Sequence, residues 1–252
     1  MAKRVFGYPD IHWRFRDERA LAVAMAAQEM FKPDIVVIGG DLMDCTIFSR
    51  HEPKKVREVS VDDWVKDELE PSCRFLDRVQ EHTGETVMLL GNHEYNIERW
   101  AIRESRCGPA IYNLISPKVR LSEGRKNFKI VEWSDDCDCY YQLNSRLIAV
   151  HGWSVAKHAA ARHLEKSLSK SVIFNHTHRK QVFARRDPYS GKIIEGMSAG
   201  CLCKLSPSYM TSPTDWVNGF WVAFVGKSSY TWYPVTIENG RAVMPDGEEI
   251  KC

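Results

Sequence analysis

Short apolar runs alternate with segments of helical periodicity through the first half of the chain. Residues 34–41 form an uninterrupted apolar run bounded by aspartates, and residues 3–8 and 86–90 also have strand character. Such runs are typical of strands that are buried on both faces of a parallel sheet. Residues 16–31 instead repeat apolar side chains at helical spacing, which predicts an amphipathic helix that ends before Pro33. The alternation predicts an α/β fold.

A long excursion separates the second and third of these strands. Residues 49–57 are polar and basic, and apolar side chains then recur at helical spacing as far as Gln80. Pro71 interrupts this stretch and predicts two helices, because a proline removes a hydrogen-bond donor from a helix interior. We therefore expect a helical insertion over about residues 46–84.

The second half of the chain changes to a strand-rich pattern. Strands are predicted at residues 128–133, 139–143, 146–150, 171–174, 181–185, 192–197, 220–225 and 231–237. Helices are predicted at residues 95–106 and 156–167, and a turn at residues 238–240. The length of 252 residues fits one domain spanning residues 1–252, with closing strands over about residues 181–252.

Composition limits the classes of function. Hydrophobic residues make up 44% and charged residues 27%, which is enough for a packed core. The formal net charge of +2 is too small to indicate a nucleic-acid-binding protein by itself. No run of about 18 apolar residues is present, and the first residues do not resemble a signal peptide. We therefore expect a cytoplasmic protein with no membrane partner.

Two pairs among the eight cysteines have Cys-x-Cys spacing, Cys137/Cys139 and Cys201/Cys203. Structural zinc sites usually use paired knuckles with wider Cys-x₂₋₄-Cys spacing, and no second knuckle lies at a suitable distance. In a chain without an export signal, free thiols are favoured over disulfides. We expect these cysteines to be ordinary thiols in strands or loops.

Metal-capable side chains follow five of the predicted strands. They are Asp10 and His12, Asp41 and Asp44, Asn92 with His93 and Glu94, His151, and His176 with His178. Loops at the carboxyl ends of strands in an α/β sheet converge, so these side chains can meet at one site. Carboxylate, amide and imidazole ligands suit borderline divalent ions. The Asp-x-His and His-x-His spacings put both side chains of each pair on the same side of an extended segment, where both can reach one ion.

The order of these motifs resembles the calcineurin-like metallophosphoesterases. The family pattern is D-x-H, G-D-x-x-D, G-N-H-E/D, a lone H and G-H-x-H. This chain follows it from Asp10 to His178, with Asn175 in place of one glycine. The resemblance implies a sandwich of two mixed β-sheets flanked by helices. It also implies two divalent metal ions, with Mn²⁺ expected first and Fe, Zn or Mg as alternatives.

The same resemblance implies a role for each residue of the site. Seven side chains bind the ions: Asp10, His12 and His178 the first, Asn92, His151 and His176 the second, and Asp41 both. Hydrolysis of a phosphoester is expected through attack by a hydroxide that the two ions share. His93 is expected to protonate or stabilise the leaving alkoxide. Asp44 is expected to hold His93 in the productive tautomer, the alternative being a helix cap or turn residue.

Basic and aromatic residues beside the motifs predict an anionic substrate such as DNA, RNA or a nucleotide. Arg14, Arg99 and Arg179 are the expected substrate contacts. Other basic residues nearby are Arg16, Arg50, Lys54, Lys55, Arg57, Arg103, Lys157 and Lys180. The aromatic residues expected to stack on bases are Trp13, Phe15, Phe48, Trp100 and Trp153. The alternative for each residue is a solvated charge or a core aromatic.

A small phosphodiesterase or nuclease is the favoured function. The phosphoprotein phosphatases are disfavoured, because they carry a glycine at the position of Trp13 and an arginine-bearing motif at the position of Cys45. The repair nucleases of the superfamily are disfavoured because they usually carry a histidine at the position of Asp44. A phosphomonoesterase or protein phosphatase of the same superfamily is one alternative. A non-catalytic scaffold or a nucleic-acid-binding module is another, disfavoured because all seven ligand positions and His93 are present.

Overall fold

The computed structural model describes residues 1–48, 60–104, 106, 108–134, 138–208, 210 and 212–252. The α-helices are α1 (Glu18–Phe31), α2 (Val61–Trp64), α3 (Glu70–Glu81), α4 (Asn92–Glu104), α5 (Pro109–Ile115), α6 (Pro117–Arg120) and α7 (Ala159–Glu165). The strands are β1 (Lys3–Tyr8), β2 (Ile35–Ile38), β3 (Glu85–Leu89), β4 (Phe128–Val131), β5 (Tyr141–Gln142), β6 (Leu147–Ala149), β7 (Ser171–Ile173), β8 (Lys180–Arg186), β9 (Ile193–Ala199), β10 (Gly219–Val225), β11 (Tyr230–Thr236), β12 (Arg241–Val243) and β13 (Glu249–Lys251). The predicted basic loop at residues 49–57 lies outside the described residues.

The strands form two mixed sheets and a small hairpin. The first sheet has the order β11-β10-β1-β2-β3-β4, in which β1 to β4 are parallel while β10 and β11 are antiparallel. The second has the order β5-β6-β7-β9-β8, with parallel pairing among β6, β7 and β9 and antiparallel pairing at both edges. The predicted sandwich of two mixed sheets is confirmed.

Side chains on the central strands alternate between two cores, as the period of two in a strand requires. Val36 and Ile38 on β2 pack in the cluster that contains side chains of α1 and α3. Ile35 and Val37 on the same strand pack between the two sheets. The outer face of the second sheet packs on α7. The layers therefore follow the order α/β/β/α, and burial of both strand faces explains the uninterrupted apolar runs.

The helical insertion differs from the prediction at Pro71. Helical residues continue from Val61 to Glu81, with a π-helical turn at Val65–Leu69 immediately before α3. The backbone N–H of Glu70 bonds to the carbonyl of Val65, five residues earlier. This wider turn accommodates a proline that would break a regular helix. The predicted division near Pro71 is therefore present, since α3 begins at Glu70, but the π-helical turn joins α2 to α3 without a break between them. No helix in the described part of the chain is both long and apolar enough to cross a bilayer.

Candidate metal centre

The loops that follow β1, β2, β3, β6 and β7 bring all seven predicted ligands together. The ligand atoms lie within 4.8 Å of one another in each of two groups: Asp10, His12 and His178 in the first, and Asp41, His151 and His176 in the second. Oδ1 of Asn92 lies 3.2 Å from Nε2 of His151 and so adjoins the second group. Residues distant in sequence thus form one compact polar centre.

Asp41 lies between the two groups. Its Oδ2 is 3.7 Å from Nε2 of His12 and 3.3 Å from Nε2 of His151. Its Oδ1 accepts a hydrogen bond from the backbone N–H of His93 at 3.0 Å, which fixes the carboxylate against the first turn of α4. This position is the one that a bridging ligand requires, while the bridging role itself stays a prediction.

The two imidazoles of the His-x-His motif belong to different groups. His176 and His178 have backbone φ angles of 71° and 57°, so the segment is left-handed and not extended. The expectation from spacing, that both side chains can reach one ion, was therefore wrong, because alternation of side chains requires extended backbone. The sets implied by the family resemblance, with His178 in the first and His176 in the second, match the two groups. Asp10 and His12 do share one group, although His12 also has a positive φ of 45°.

Left-handed backbone is a feature of this centre. Asp41 has a φ of 47°, and such conformations cost free energy in residues other than glycine. Hydrogen bonds offset that cost. The N–H of His12 donates to the carbonyl of Asp41 at 2.8 Å, and the N–H of His176 donates to the Asp10 carboxylate at 3.0 Å. His12 and His176 are therefore held in left-handed conformations by hydrogen bonds to aspartates on other loops.

Glu94 connects the loops that carry the ligands. Its buried carboxylate accepts hydrogen bonds from the backbone N–H groups of Asp41, Met43 and Gly91 at 2.9–3.0 Å. Gly91 is required here, since a Cβ at that position would lie 2.0 Å from Oδ1 of Asp41. Glu94 is thus a structural carboxylate, and it positions the ligand loop.

The ring nitrogens that face the centre are acceptors when the imidazoles are neutral. Nδ1 of His151 lies 2.8 Å from the carbonyl of Gly39, which can only accept, so the proton is on Nδ1. Its Nε2 then faces the oxygens of Asp41 and Asn92. Similarly, Nδ1 of His12 donates to the Asp44 carboxylate at 3.2 Å. Acceptors that face one another require a cation between them, so this donor set fits divalent metal ions.

The electrostatics of the centre lead to the same conclusion. Burial lowers the pKa of His12, but its hydrogen bond with Asp44 and the charge of Asp41 outweigh burial and raise the pKa to about 10. For His151, burial is likewise outweighed by Asp41, and the pKa rises to about 9. Burial raises the pKa of Asp10 to about 7. Protons therefore supply the positive charge that the carboxylates need, and a metal ion competes with them.

Comparison with known proteins identifies the family. The family model of the calcineurin-like phosphoesterases matches residues 4–193. This chain belongs to the calcineurin-like phosphoesterases. Two solved structures are similar across nearly their whole length. Vacuolar Protein Sorting 29 from Cryptosporidium parvum has 12% identity and a TM-score of 0.53, with 100% of this chain and 99% of that chain covered.

The second similar structure is Vps29 from Chaetomium thermophilum. It has 11% identity and a TM-score of 0.50, with 99% of this chain and 93% of that chain covered. At these identities the likeness establishes the fold alone. A search among curated proteins found no match. The family assignment and the donor set together make this chain a metallophosphoesterase with a metal-binding centre.

His93 occupies the open side of this phosphoesterase centre. Its side chain is 32% exposed, and its Nε2 lies 4.0 Å from Oδ2 of Asp41. Its Nδ1 makes a short contact with the main-chain oxygen of Asp44. The Asp44 carboxylate is 3.9 Å from that nitrogen and bonds to His12 instead. Asp44 thus contacts His93 as predicted, but through its carbonyl, while its carboxylate orients a predicted metal ligand.

The three predicted substrate contacts differ in their surroundings. Arg14 and Arg99 are exposed, with their guanidinium groups 5.8 Å from the ring of Phe15 and 5.6 Å from that of Tyr95. Arg179 pairs with Asp215 at 2.8 Å and also donates to the carbonyls of residues 155 and 156. Arg179 therefore connects two loops beside the centre. Binding of substrate by any of the three stays a prediction.

The predicted aromatic contacts are mostly core residues. Trp13 and Phe48 are only 9% exposed and pack in the cluster beneath the first sheet. Trp100 packs against the same cluster, with its ring 5.1 Å from that of Phe48. Trp13 and Phe48 are therefore unavailable for stacking on bases. Trp216, which the sequence analysis did not single out, is half-buried and places its ring 4.1 Å from that of His178.

Glu68 is a residue of the site that sequence reasoning missed. It lies on the π-helical turn of the insertion, is 4% exposed, and accepts the N–H groups of Asp44 and Cys45 at 2.9 Å. Burial raises its pKa to about 7. The sequence pattern could have identified Glu68, because it is a charged residue on the apolar face of the predicted helix. Charged residues are rarely buried without a partner.

Asn175 is the second missed residue. Its side-chain amide donates to the carbonyls of Gly39 and Val150, both at 3.1 Å. These carbonyls follow β2 of the first sheet and β6 of the second. The residue that replaces the family's usual glycine therefore connects the two sheets directly beneath the metal centre.

Proposed function

We propose that this chain is a dinuclear metal-dependent phosphodiesterase that acts on nucleic acids or nucleotides. One observation supports the proposal most strongly: all seven ligand side chains and His93 converge, with acceptor atoms facing acceptor atoms. The loss of any one loop would remove this arrangement. When two divalent ions are bound, they supply a nucleophilic hydroxide near neutral pH and compensate charge on the phosphoryl oxygens.

His93 is suited to act on the leaving group. Its Nδ1 contacts the Asp44 carbonyl, which can only accept, so this nitrogen retains its proton. Its Nε2 is then the atom free to exchange a proton with an oxygen of the substrate. The partial exposure of the ring allows that contact, whereas the rings of His12 and His151 are almost fully buried. His93 as an imidazolium would donate a proton to the departing alkoxide.

The loop after Asp44 supports a diester in preference to a monoester. A monoester dianion requires more positive charge around the phosphate, and arginine supplies it best through bidentate contacts. Cys45 follows Asp44 here, is 1% exposed, and donates its N–H to the carboxylate of Glu68. Acidic and apolar groups thus line the place where the phosphatase pattern carries its arginine motif. We propose Mn²⁺ as the metal, since the oxygen ligands of Asp10, Asp41 and Asn92 suit it, with Fe²⁺ and Zn²⁺, which imidazole ligands suit, as the alternatives.

A non-catalytic role is the second candidate. The specific observation in its favour is that the two solved structures described above carry the names Vacuolar Protein Sorting 29 and Vps29, and the first name describes sorting and not hydrolysis. The two candidates differ in what they need from His93. A protein that only binds a partner through this fold has no use for a partly exposed histidine beside a complete ligand set.

The deciding experiment is a hydrolysis panel on the full chain. Bis-p-nitrophenyl phosphate, p-nitrophenyl phosphate, cyclic nucleotides, and single- and double-stranded DNA and RNA are each incubated with Mn²⁺, Fe²⁺, Zn²⁺ or Mg²⁺. We expect the diesters to be hydrolysed faster than the monoester, and Mn²⁺ to support the highest rate. Hydrolysis of the monoester alone would favour the phosphomonoesterase alternative. No hydrolysis with measured full metal loading would favour the non-catalytic role.

The His93→Ala variant tests the chemistry within that panel. We expect its metal content to be retained while turnover of the diester falls at least about 100-fold, the usual contribution of a general acid. His158→Ala is the matched control, because His158 is exposed and its side chain makes no cap hydrogen bond to α7. It should retain full turnover. Turnover of His93→Ala equal to that of the control would remove His93 from the mechanism.

A further inference from the structure

Two buried thiols lie behind one histidine of the metal centre. Sγ of Cys203 is 3.8 Å from Nδ1 of His178, and Cys201 lies within 4.8 Å of both ligand atoms. The exposed fractions of Cys201, Cys203 and His178 are 0%, 1% and 6%. The opposite ring nitrogen of His178, Nε2, faces His12 in the metal centre at 3.1 Å. His178 thus separates two potential sets of ligands.

The spacing of these atoms matches that around a tetrahedral metal ion. Bonds of about 2.3 Å to sulfur and about 2.0 Å to nitrogen, at a tetrahedral angle, place the two atoms about 3.5 Å apart. The observed 3.8 Å separation of Cys203 and His178 differs from this value by a few tenths of an ångström. The separation of Cys203 and His178 therefore requires little rearrangement for an ion to bind between them, and Cys201 lies within 4.8 Å of both ligand atoms.

The backbone holds the thiols in this position. The N–H of Cys201 donates to the carbonyl of Val217 at 2.9 Å, and the side chain of Asn218 donates to the carbonyl of Cys203 at 2.8 Å. Between the two cysteines, the N–H of Leu202 donates to the carbonyl of Asp10 at 2.9 Å. A preformed pair of thiols loses less conformational entropy on binding an ion than a flexible pair would.

We propose that Cys201, Cys203 and Nδ1 of His178 form a separate binding site for a thiophilic divalent ion such as Zn²⁺ or Cd²⁺. Soft thiolate ligands select such ions over Mn²⁺ and Mg²⁺, which prefer oxygen. Binding releases both thiol protons to solvent and forms two metal–sulfur bonds and one metal–nitrogen bond. No electron transfer is involved.

Occupancy of this thiol site withdraws His178 from the metal centre. A neutral imidazole has one proton and one free lone pair, so its proton lies on Nε2 when Nδ1 binds an ion. Nε2 then faces the centre as a donor and cannot serve as a ligand there. The two sites therefore compete for one histidine, and a thiophilic ion lowers the affinity of the centre for Mn²⁺. The effect of this competition on catalysis rests on the proposed function.

Cadmium titration of the metal-free full chain tests the thiol site without reference to activity. The thiolate-to-cadmium charge-transfer absorbance in the ultraviolet reports sulfur ligation. We expect Cys203→Ser to lose one tightly bound equivalent of this absorbance relative to the natural sequence. Cys139→Ser is the matched control, because it removes a thiol of the other Cys-x-Cys pair. Equal loss in both variants, or no loss in Cys203→Ser, overturns the proposal.

Cadmium-113 NMR of the unaltered chain tests the same site without a substitution, so its result does not depend on whether Cys203→Ser folds. A signal with the chemical shift of mixed sulfur and nitrogen ligation is expected, and its absence at saturating Cd²⁺ overturns the proposal. Mn²⁺ affinity, measured before and after one equivalent of Cd²⁺, should fall about 10-fold or more in the natural sequence. The corresponding ratio in Cys203→Ser should stay near one. A chain that binds Cd²⁺ in this way but hydrolyses nothing would refute the proposed function alone.

Discussion

At the scale of single residues, the hydrogen-bond partners of each imidazole determine its tautomer and protonation state. Nδ1 of His163 donates to the carbonyl of Ala159 at 2.7 Å, and its Nε2 accepts the N–H of Trp153 at 3.1 Å. Both nitrogens are therefore satisfied only by the neutral ring. The ring stacks on Phe174 with a centroid distance of 4.1 Å and supports the loop directly after His151.

His163 should make the stability of the protein sensitive to acid. Burial lowers its pKa to about 4, below the ordinary value of 6.5. A depressed pKa contributes stability that is present above pH 6.5 and is lost as the pH falls through about 4, up to about 3 kcal/mol. Urea unfolding of the metal-free protein across this range should therefore show a smaller loss for His163→Gln. The exposed control His158→Gln should behave as the natural sequence, and identical pH slopes for both variants would contradict the assignment.

At the scale of elements, the π-helical turn of the insertion positions the loop that contains Asp44 and Cys45. The turn places Glu68 so that one oxygen of its carboxylate accepts the backbone N–H groups of both Asp44 and Cys45. That loop contacts His93 through a carbonyl and His12 through a carboxylate. The insertion is therefore part of the site and not an appendage, and π-helical turns often lie at functional sites.

Glu68→Ala should weaken both the fold and turnover. Removal of the acceptor leaves two buried N–H groups without a partner, which costs about 1–3 kcal/mol in the free energy of unfolding. We expect turnover of a diester to fall as well, with metal content retained. Glu68→Gln keeps an acceptor oxygen and should recover most of both losses. Glu70→Ala, an exposed neighbour on the same helical segment, is the control. Loss of stability without loss of turnover in Glu68→Ala would limit Glu68 to folding.

At the scale of the whole molecule, the metal centre connects the two sheets. Asp10, Asp41 and Asn92 follow strands of the first sheet, while His151 and His176 follow strands of the second. An ion bound to ligands from both sheets resists their separation. Apolar side chains between the sheets, the amide of Asn175 and hydrogen bonds such as that from the Tyr230 hydroxyl to Glu195 also hold the sheets together.

Chelation should therefore lower the thermal unfolding temperature. A ligand that binds only the folded state stabilises it by about 2.7 kcal/mol when present at 100 times its dissociation constant. We expect unfolding in excess Mn²⁺ to occur several degrees above unfolding in EDTA, as followed by circular dichroism. Asp41→Asn weakens the ligand between both groups and should show a much smaller difference. An unchanged temperature for a chain shown to hold Mn²⁺ would refute the link between the sheets.

Local sequence patterns determined much of this protein. The apolar runs of β2 and β3 identified buried strands, and the periodicity of α1 identified a helix. Each element type repeats its core-facing side chains at a characteristic spacing, so a short segment is enough to reveal it. Residues at strand ends identified the seven side chains that converge. Short elements without a strong pattern, such as α5, α6, β12 and β13, were not predicted, since contacts with other elements stabilise them.

The amino-acid sequence by itself determined which residue types can bind metal and roughly where the chain turns. Only the tertiary structure decided which atoms meet. Left-handed backbone at His176 and His178, which the spacing of their motif does not encode, directs the two side chains to different groups, and packing placed the carbonyl of Asp44, not its carboxylate, against His93. The physical reason is that spacing along a chain constrains neighbours by local geometry. Contacts between distant loops depend instead on how whole layers pack, which no short segment encodes.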